Sequence, residues 1–237
     1  MSKSLVRRGR PPTALVLGAT GAVGSQILAT LLHSTFPTTT AISRSAPPSH
    51  PNLSLHVEPA TSKWAPLLSS LSPCPSTAFN AVFPTHAAAR GLKAQWKIEH
   101  DLCIEIAQAA KVAGVKTYVF VSNAGTRDLL SSYVPYSNMS IGVEDAIKKL
   151  DFEHAVILRP GMILGGEKAK AWLLVALFGH LSGLPPIVPD PFDKDQLLIG
   201  IAAVAAARMA DDGTSPSKYW VLGQSDIVRL GRIERKE

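Results

Sequence analysis

Along this chain the apolar residues alternate between short solid runs and stretches in which they recur every third or fourth position. Residues 14–17 (ALVL) form the first run; after GATGAVG, Val23, Ile27, Leu28, Leu31 and Leu32 follow at helical spacing. A short apolar run closed by a turn reads as a buried strand, and the three-to-four spacing reads as a helix with one buried face. Further strands are predicted at 39–43 (TTAIS), 53–57 (LSLHV), 81–83 (AVF), 117–121 (TYVFV), 155–158 (AVIL) and 219–222 (YWVL). Helical spacing predicts a short piece at 64–71 and a long helix over 95–113, where Ile98, Leu102, Ile106, Ala109 and Ala113 share one face and Gly114 ends the run. Two more helices are expected at 137–150 and 198–210. Strands that alternate with helices imply an α/β fold, a doubly wound parallel sheet covered on both faces.

GATGAVG follows a strand and opens a helix, which is the context in which a glycine triplet holds a dinucleotide. Gly18 makes the tight turn, Gly21 lets the main chain approach a pyrophosphate, and Gly24 lets helix and strand pack closely. Unpaired N–H groups and the positive end of the helix dipole then meet the phosphates. The expected cofactor contacts here are Gly18, Thr20, Gly21, Ala22, Val23 and Gly24. No GxxxxGK[ST] occurs, so a phosphate-hydrolysing P-loop is excluded.

The choice of dinucleotide rests on the end of the second strand, where a carboxylate would bind the ribose 2′-OH. Ser43, Arg44 and Ser45 stand there instead. A guanidinium pairs with a phosphate, so Arg44 points to NADP(H). The alternative is an exposed loop charge.

Length and composition add bounds. At 237 residues, 46% apolar and 18% charged, the chain is expected to fold as a single domain over 13–237, with 162–215 covering a substrate. The net charge of +6 is inflated by a basic stretch without acids, MSKSLVRRGR, within the arm 1–12. That arm reads as a solvated tail or as an Arg- and Ser-containing mitochondrial or anionic-membrane signal. No nucleic-acid partner is expected, and no secretion signal follows the basic start. Two cysteines, Cys74 and Cys103, support neither a disulfide framework nor a metal site. The run AWLLVALF at 171–178 is too short to span a bilayer, which takes roughly 20 apolar residues, and reads as a buried helix, a pocket lid or a shallow membrane contact.

With GATGAVG, ISR, VSNAG, PYSNMS and ILRPG in that order, the chain resembles the atypical short-chain dehydrogenases/reductases. More closely it resembles the fungal FMP-type mitochondrial outer-membrane proteins, relatives of the mammalian Tat-interacting oxidoreductase. TSKWAPLL, QWKIEHDL and the tail QSDIVRLGR extend the likeness over almost the whole chain. The resemblance implies a Rossmann fold binding NADP(H), with Arg44 at the adenosine ribose and Pro160 and Gly161 beside the nicotinamide. It also implies peripheral attachment to the mitochondrial outer membrane, with the cytosol as the alternative.

Two departures touch proton transfer. The family pattern Tyr-x-x-x-Lys appears as Tyr136 followed by Ser140, and a pair of serines appears as Ser122 and Asn123. A tyrosine titrates near pH 10 on its own, so a nearby cation is what makes its phenolate accessible. Ser140 would supply a hydrogen bond to the cofactor but no charge. Lys148 and Lys149 lie roughly 12–14 Å further along the helix. Tyr136 therefore reads either as a proton donor suited to reduction or as a pocket tyrosine that only positions ligand.

Three functions compete. In a NADPH-dependent reductase of a small hydrophobic carbonyl or activated alkene, Tyr136 supplies the proton and Ser122 or Asn123 orients the substrate oxygen. In a non-redox isomerase or cyclase of specialised metabolism, a pocket with His86 and Trp172 does the chemistry. In a sensor or interaction protein, NADP(H) occupancy is passed to a partner or membrane. The oligomeric state is left open by the sequence.

Overall fold

The computed structural model describes residues 12–34, 36, 38–82, 96–124, 126–127, 135–161 and 193–234. Within them, seven strands form one parallel sheet: β1 Thr13–Leu17, β2 Thr38–Ser43, β3 Leu53–Val57, β4 Thr77–Asn80, β5 Thr117–Val121, β6 His154–Leu158 and β7 Tyr219–Leu222. Their order is β3-β2-β1-β4-β5-β6-β7. The chain leaves β1 toward one edge and returns at β4 to build the other half. β1 thus pairs with both β2 and β4, and a crevice opens at the carboxyl ends of β1 and β4, where such sheets bind ligands.

The period of two along each strand sorts the core. Ala14, Val16, Val119, Val121, Val156 and Leu158 point to one face, against α1 (Ala22–Leu32), α5 (Asp193–Asp211) and α6 (Gln224–Glu234). Leu15, Leu17, Tyr118, Phe120, Ala155 and Ile157 point to the other, against α2 (Trp64–Ser70), α3 (Cys103–Ala113) and α4 (Pro135–Leu150). Both faces are covered by helices, which is why the central strands read as solid apolar runs. The fold is the Rossmann-type α/β sandwich.

Several boundaries differ from the sequence reading. The fourth strand is Thr77–Asn80, ahead of the expected 81–83. Its polar ends disguise it, yet both are fully buried: Thr77 donates to Asp211 Oδ2 at 3.1 Å, and Asn80 Nδ2 donates to the Tyr118 hydroxyl at 3.1 Å. Phe83 lies outside the described residues. The long helix starts as a π-helical turn, Lys97–Leu102, before α3, and Gly114 closes it at φ 95° as a left-handed cap. α5 begins before the expected 198. This part of 162–215 packs into the core, its buried Ala202, Ala203, Ala206 and Ala207 sharing one cluster with α1 and α6. Residues 162–192, with Trp172 and the 171–178 run, and His86 lie outside the described residues.

Candidate functional site

The glycine turn joins β1 to α1 at the carboxyl edge of the sheet. Gly18 has φ 80°, and a Cβ there would stand 2.7 Å from the Ala81 carbonyl oxygen, so only glycine fits. The Gly21 N–H donates to the Gly18 carbonyl at 2.9 Å and tightens the bend. A Cβ on Gly24 would lie 2.1 Å from that same carbonyl oxygen, so the first turn of α1 rests directly on the loop. Gly21 is the helix N-cap, no side chain caps α1, and its first turn carries no acid. The leading N–H groups are therefore left to a ligand, and the dipole favours an anion. Thr20, Gly21 and Ala22 are exposed, whereas Val23 is buried in the core. This glycine-lined ledge fits the pyrophosphate of a dinucleotide.

The end of β2 comes up beside it. Ser43 Oγ donates to the Ser45 carbonyl at 2.6 Å, and Ser45 Oγ donates to Thr20 Oγ1 at 3.4 Å. Arg44, exposed, is held between those two contacts, next to the glycine turn. The nearby acid is Glu58, whose N–H bonds the Ser43 carbonyl; its carboxylate accepts from the Ala60 N–H at 2.9 Å and faces Lys63 at 3.7 Å.

On the other side of the crevice, the exits of β5 and β6 run together: Ser122 N–H donates to the Leu158 carbonyl and Ala124 N–H to the Pro160 carbonyl, both at 2.7 Å. Gly161 N–H donates to Gln224 Oε1 at 2.7 Å, tying the β6 exit to α6. Pro160 and Gly161 thus lie just past the carboxyl end of β6. Tyr136 lies at the start of α4, and its side chain is outside the described set.

The two unusual positions touch each other. Asn123 Nδ2 donates to Ser140 Oγ at 2.5 Å. Ser122 is turned elsewhere: it is 1% exposed, and its hydroxyl donates to Glu144 Oε1 at 2.7 Å. Ser122, expected to orient a substrate oxygen, is thus placed with its hydroxyl hydrogen-bonded to a buried carboxylate. Glu144 is fully buried and is met by Arg159, whose Nε reaches Oε1 at 3.0 Å and Nη2 reaches Oε2 at 2.5 Å. Arg127 Nε stands 3.6 Å from Oε2 and its Nη2 bonds Asp145. The Tyr219 hydroxyl donates to the Glu144 carbonyl at 3.4 Å, and burial pushes that phenol up to about 12. Lys148 sits over the Tyr219 ring at 5.6 Å, occupied away from the crevice. Cys103 is buried, and that burial pushes its thiol up to about 12.

Comparison with known proteins agrees with the fold and gives the family. The chain is 62% identical over 226 residues to the protein fmp52-2, mitochondrial, of Aspergillus terreus, covering 94% of this chain and 99% of that one. It is 50% identical over 239 residues to fmp-52, mitochondrial, of Neurospora crassa, covering 96% and 98%. The chain belongs to the FMP52 family. No protein-family model matches it. Among solved structures, the Bordetella bronchiseptica enzyme WbmF in complex with NAD+ superimposes with a TM-score of 0.63 at 18% identity, covering 95% of this chain and 78% of that one. UDP-glucuronic acid 4-epimerase from Bacillus cereus in complex with NAD gives 0.60 at 14% identity, over 89% and 76%. At such identities the likeness is one of fold.

The sequence reading missed Glu144, Arg159, Arg127 and Gln224 in this FMP52-family site. In IGVEDAIKKL, Glu144 stands four residues before Lys148 and reads as half of a solvated helix pair. Its real partners come from other segments. Arg159 lay inside the quoted ILRPG and Gln224 opened the quoted tail, but neither string says what its side chain meets. Among the described residues, no helix is long and apolar enough to cross a membrane.

Proposed function

We propose that this FMP52-family protein binds NADP(H) and reduces a carbonyl or activated alkene of a small hydrophobic substrate. The observation that carries the reading is the glycine-lined turn and uncapped start of α1 with Arg44 beside it and no free carboxylate at the end of β2. The turn residues 18–24 hold the pyrophosphate, Arg44 pairs with a 2′-phosphate, and Pro160 with Gly161 closes the other side. When bound, the reduced cofactor would supply the hydride.

Tyr136 gives its phenolic proton to the substrate oxygen, and Asn123 donates an amide N–H to that oxygen. Reduction needs the neutral phenol, the ordinary form of a tyrosine at neutral pH. The reverse oxidation, which needs phenolate, is correspondingly slow. The mitochondrial names of the relatives and the basic stretch 1–10 support peripheral attachment at the mitochondrial outer membrane.

The test is loss of NADPH absorbance against a panel of aldehydes, quinones and enones. Tyr136→Phe is expected to lower turnover by about 10²–10⁴-fold. Turnover unchanged in that variant eliminates Tyr136 as the proton donor. Saturable NADPH binding without turnover on any carbonyl would mark a sensor instead.

A further inference from the structure

The row of α4 positions 136, 140 and 144 runs along one side of the helix, each a turn from the next. Two of its members are already engaged by successive residues leaving β5. Glu144 takes the hydroxyl of Ser122 at 2.7 Å, and Ser140 takes the carboxamide of Asn123 at 2.5 Å. Ser140 is 5% exposed. Its hydroxyl ends at the γ position, where the lysine of the family pattern would extend to ζ, and it meets Asn123 before reaching the open crevice.

The far side of the carboxamide is held too. Thr126, 1% exposed, donates its hydroxyl to the Asn123 main-chain carbonyl and stands 3.4 Å from Asn123 Oδ1. Asn123 Nδ2 has two hydrogens, one of which goes to Ser140. Among the described residues the other has no acceptor, and it belongs to a half-buried residue at the carboxyl edge of β5.

We infer that Ser140 is a positioning residue for Asn123 and not a ligand of the dinucleotide, and that Asn123 presents one fixed amide N–H to an uncharged oxygen acceptor such as a carbonyl. The Ser140–Asn123 assignment stands on the geometry alone; the nature of the acceptor rests on the proposed reductase reading. The two departures from the family pattern are then one change. A lysine at 140 would run into the carboxamide of Asn123, and a serine at 123 would leave the Ser140 hydroxyl without its donor.

The experiment uses the full chain, labelled with nitrogen-15, as wild type, Ser140→Ala and Ser140→Thr, with NADPH as the probe. In Ser140→Ala the side-chain amide resonances of Asn123 shift and lose protection from exchange, while the Kd for NADPH stays within about twofold of wild type. Ser140→Thr keeps the hydroxyl and returns the Asn123 resonances toward wild type. A Kd for NADPH raised about tenfold or more in Ser140→Ala, or Asn123 resonances that do not move, overturns the inference. A wild type that fails to bind NADPH defeats the proposed function, while the Asn123 resonances still decide the pairing.

Discussion

Gly24→Ala puts the glycine turn to its hardest test. The added Cβ would stand 2.1 Å from the Gly18 carbonyl oxygen, 2.8 Å from its carbon and 3.3 Å from Ala19 Cα. Ordinary contact begins at 3.4 Å, so the closest approach is about 1.3 Å too short. All three neighbours are main chain and cannot rotate aside. α1 must move off the loop as a body, or the loop must open. Overpacking of this kind costs about 1–3 kcal/mol, against about 1 kcal/mol gained from alanine's helix propensity, leaving a net loss of at most about 2 kcal/mol. Binding suffers more, because the N–H groups that meet the phosphates belong to the displaced turn. Losing one hydrogen bond to a charged group, about 1.5–3 kcal/mol, weakens NADPH by about tenfold or more. Urea unfolding reads the first effect and quenching of protein fluorescence by NADPH reads the second. Gly223→Ala, where the methyl meets nothing within 4 Å, is the control. Gly24→Ala protein that binds NADPH like wild type would refute the reasoning.

Two further predictions concern stability. Glu144→Gln keeps the shape of a fully buried side chain but leaves the Arg159 guanidinium without its counter-charge. Removing one partner of a buried pair costs about 3–5 kcal/mol; Arg159 is 22% exposed, so solvent screening reduces the expected loss to about 2 kcal/mol in urea unfolding. A loss below about 0.5 kcal/mol would show the network to be idle. Asp211 accepts from Thr77 and from Thr117, the latter at 2.6 Å, yet burial holds its carboxyl above the ordinary range despite both donors. The folded protein therefore binds this proton more tightly than the unfolded chain. Its contribution is fully present below the unfolded pKa and is lost as pH rises through the raised folded value. Asp211→Asn should remove that slope, so its stability relative to wild type improves from acidic to neutral pH; a parallel pair of stability–pH curves would contradict this.

Much of the scaffold could be read from local pattern because the signals are local. β3, β5 and β7 fall on the expected residues, since a run such as TYVFV carries its own alternation and is closed by a turn. GATGAVG, likewise, is a contiguous string whose geometry follows from missing side chains. The misses share a different cause. β4 was misplaced because Thr77 and Asn80 look like loop residues until their partners, 134 and 38 positions away, are known. The Glu144–Arg159 pair and the Asn123–Ser140 contact span 15 and 17 residues across separate elements, and no periodicity records them. Ser140 stands where the family pattern has a lysine, and the structure gives it a partner just past the end of β5. The lesson is that a substitution in a motif is best judged with the residue it touches, which is a fact of tertiary packing.

The account turns on a nicotinamide dinucleotide resting on the start of α1, with Arg44 selecting its phosphorylated form. Calorimetric titration with NADPH and with NADH tests this most directly. The account predicts saturable heat with NADPH and affinity for NADH weaker by about tenfold, as one charge-assisted phosphate contact requires. Absence of saturable binding by either, or tighter binding of NADH, would contradict it.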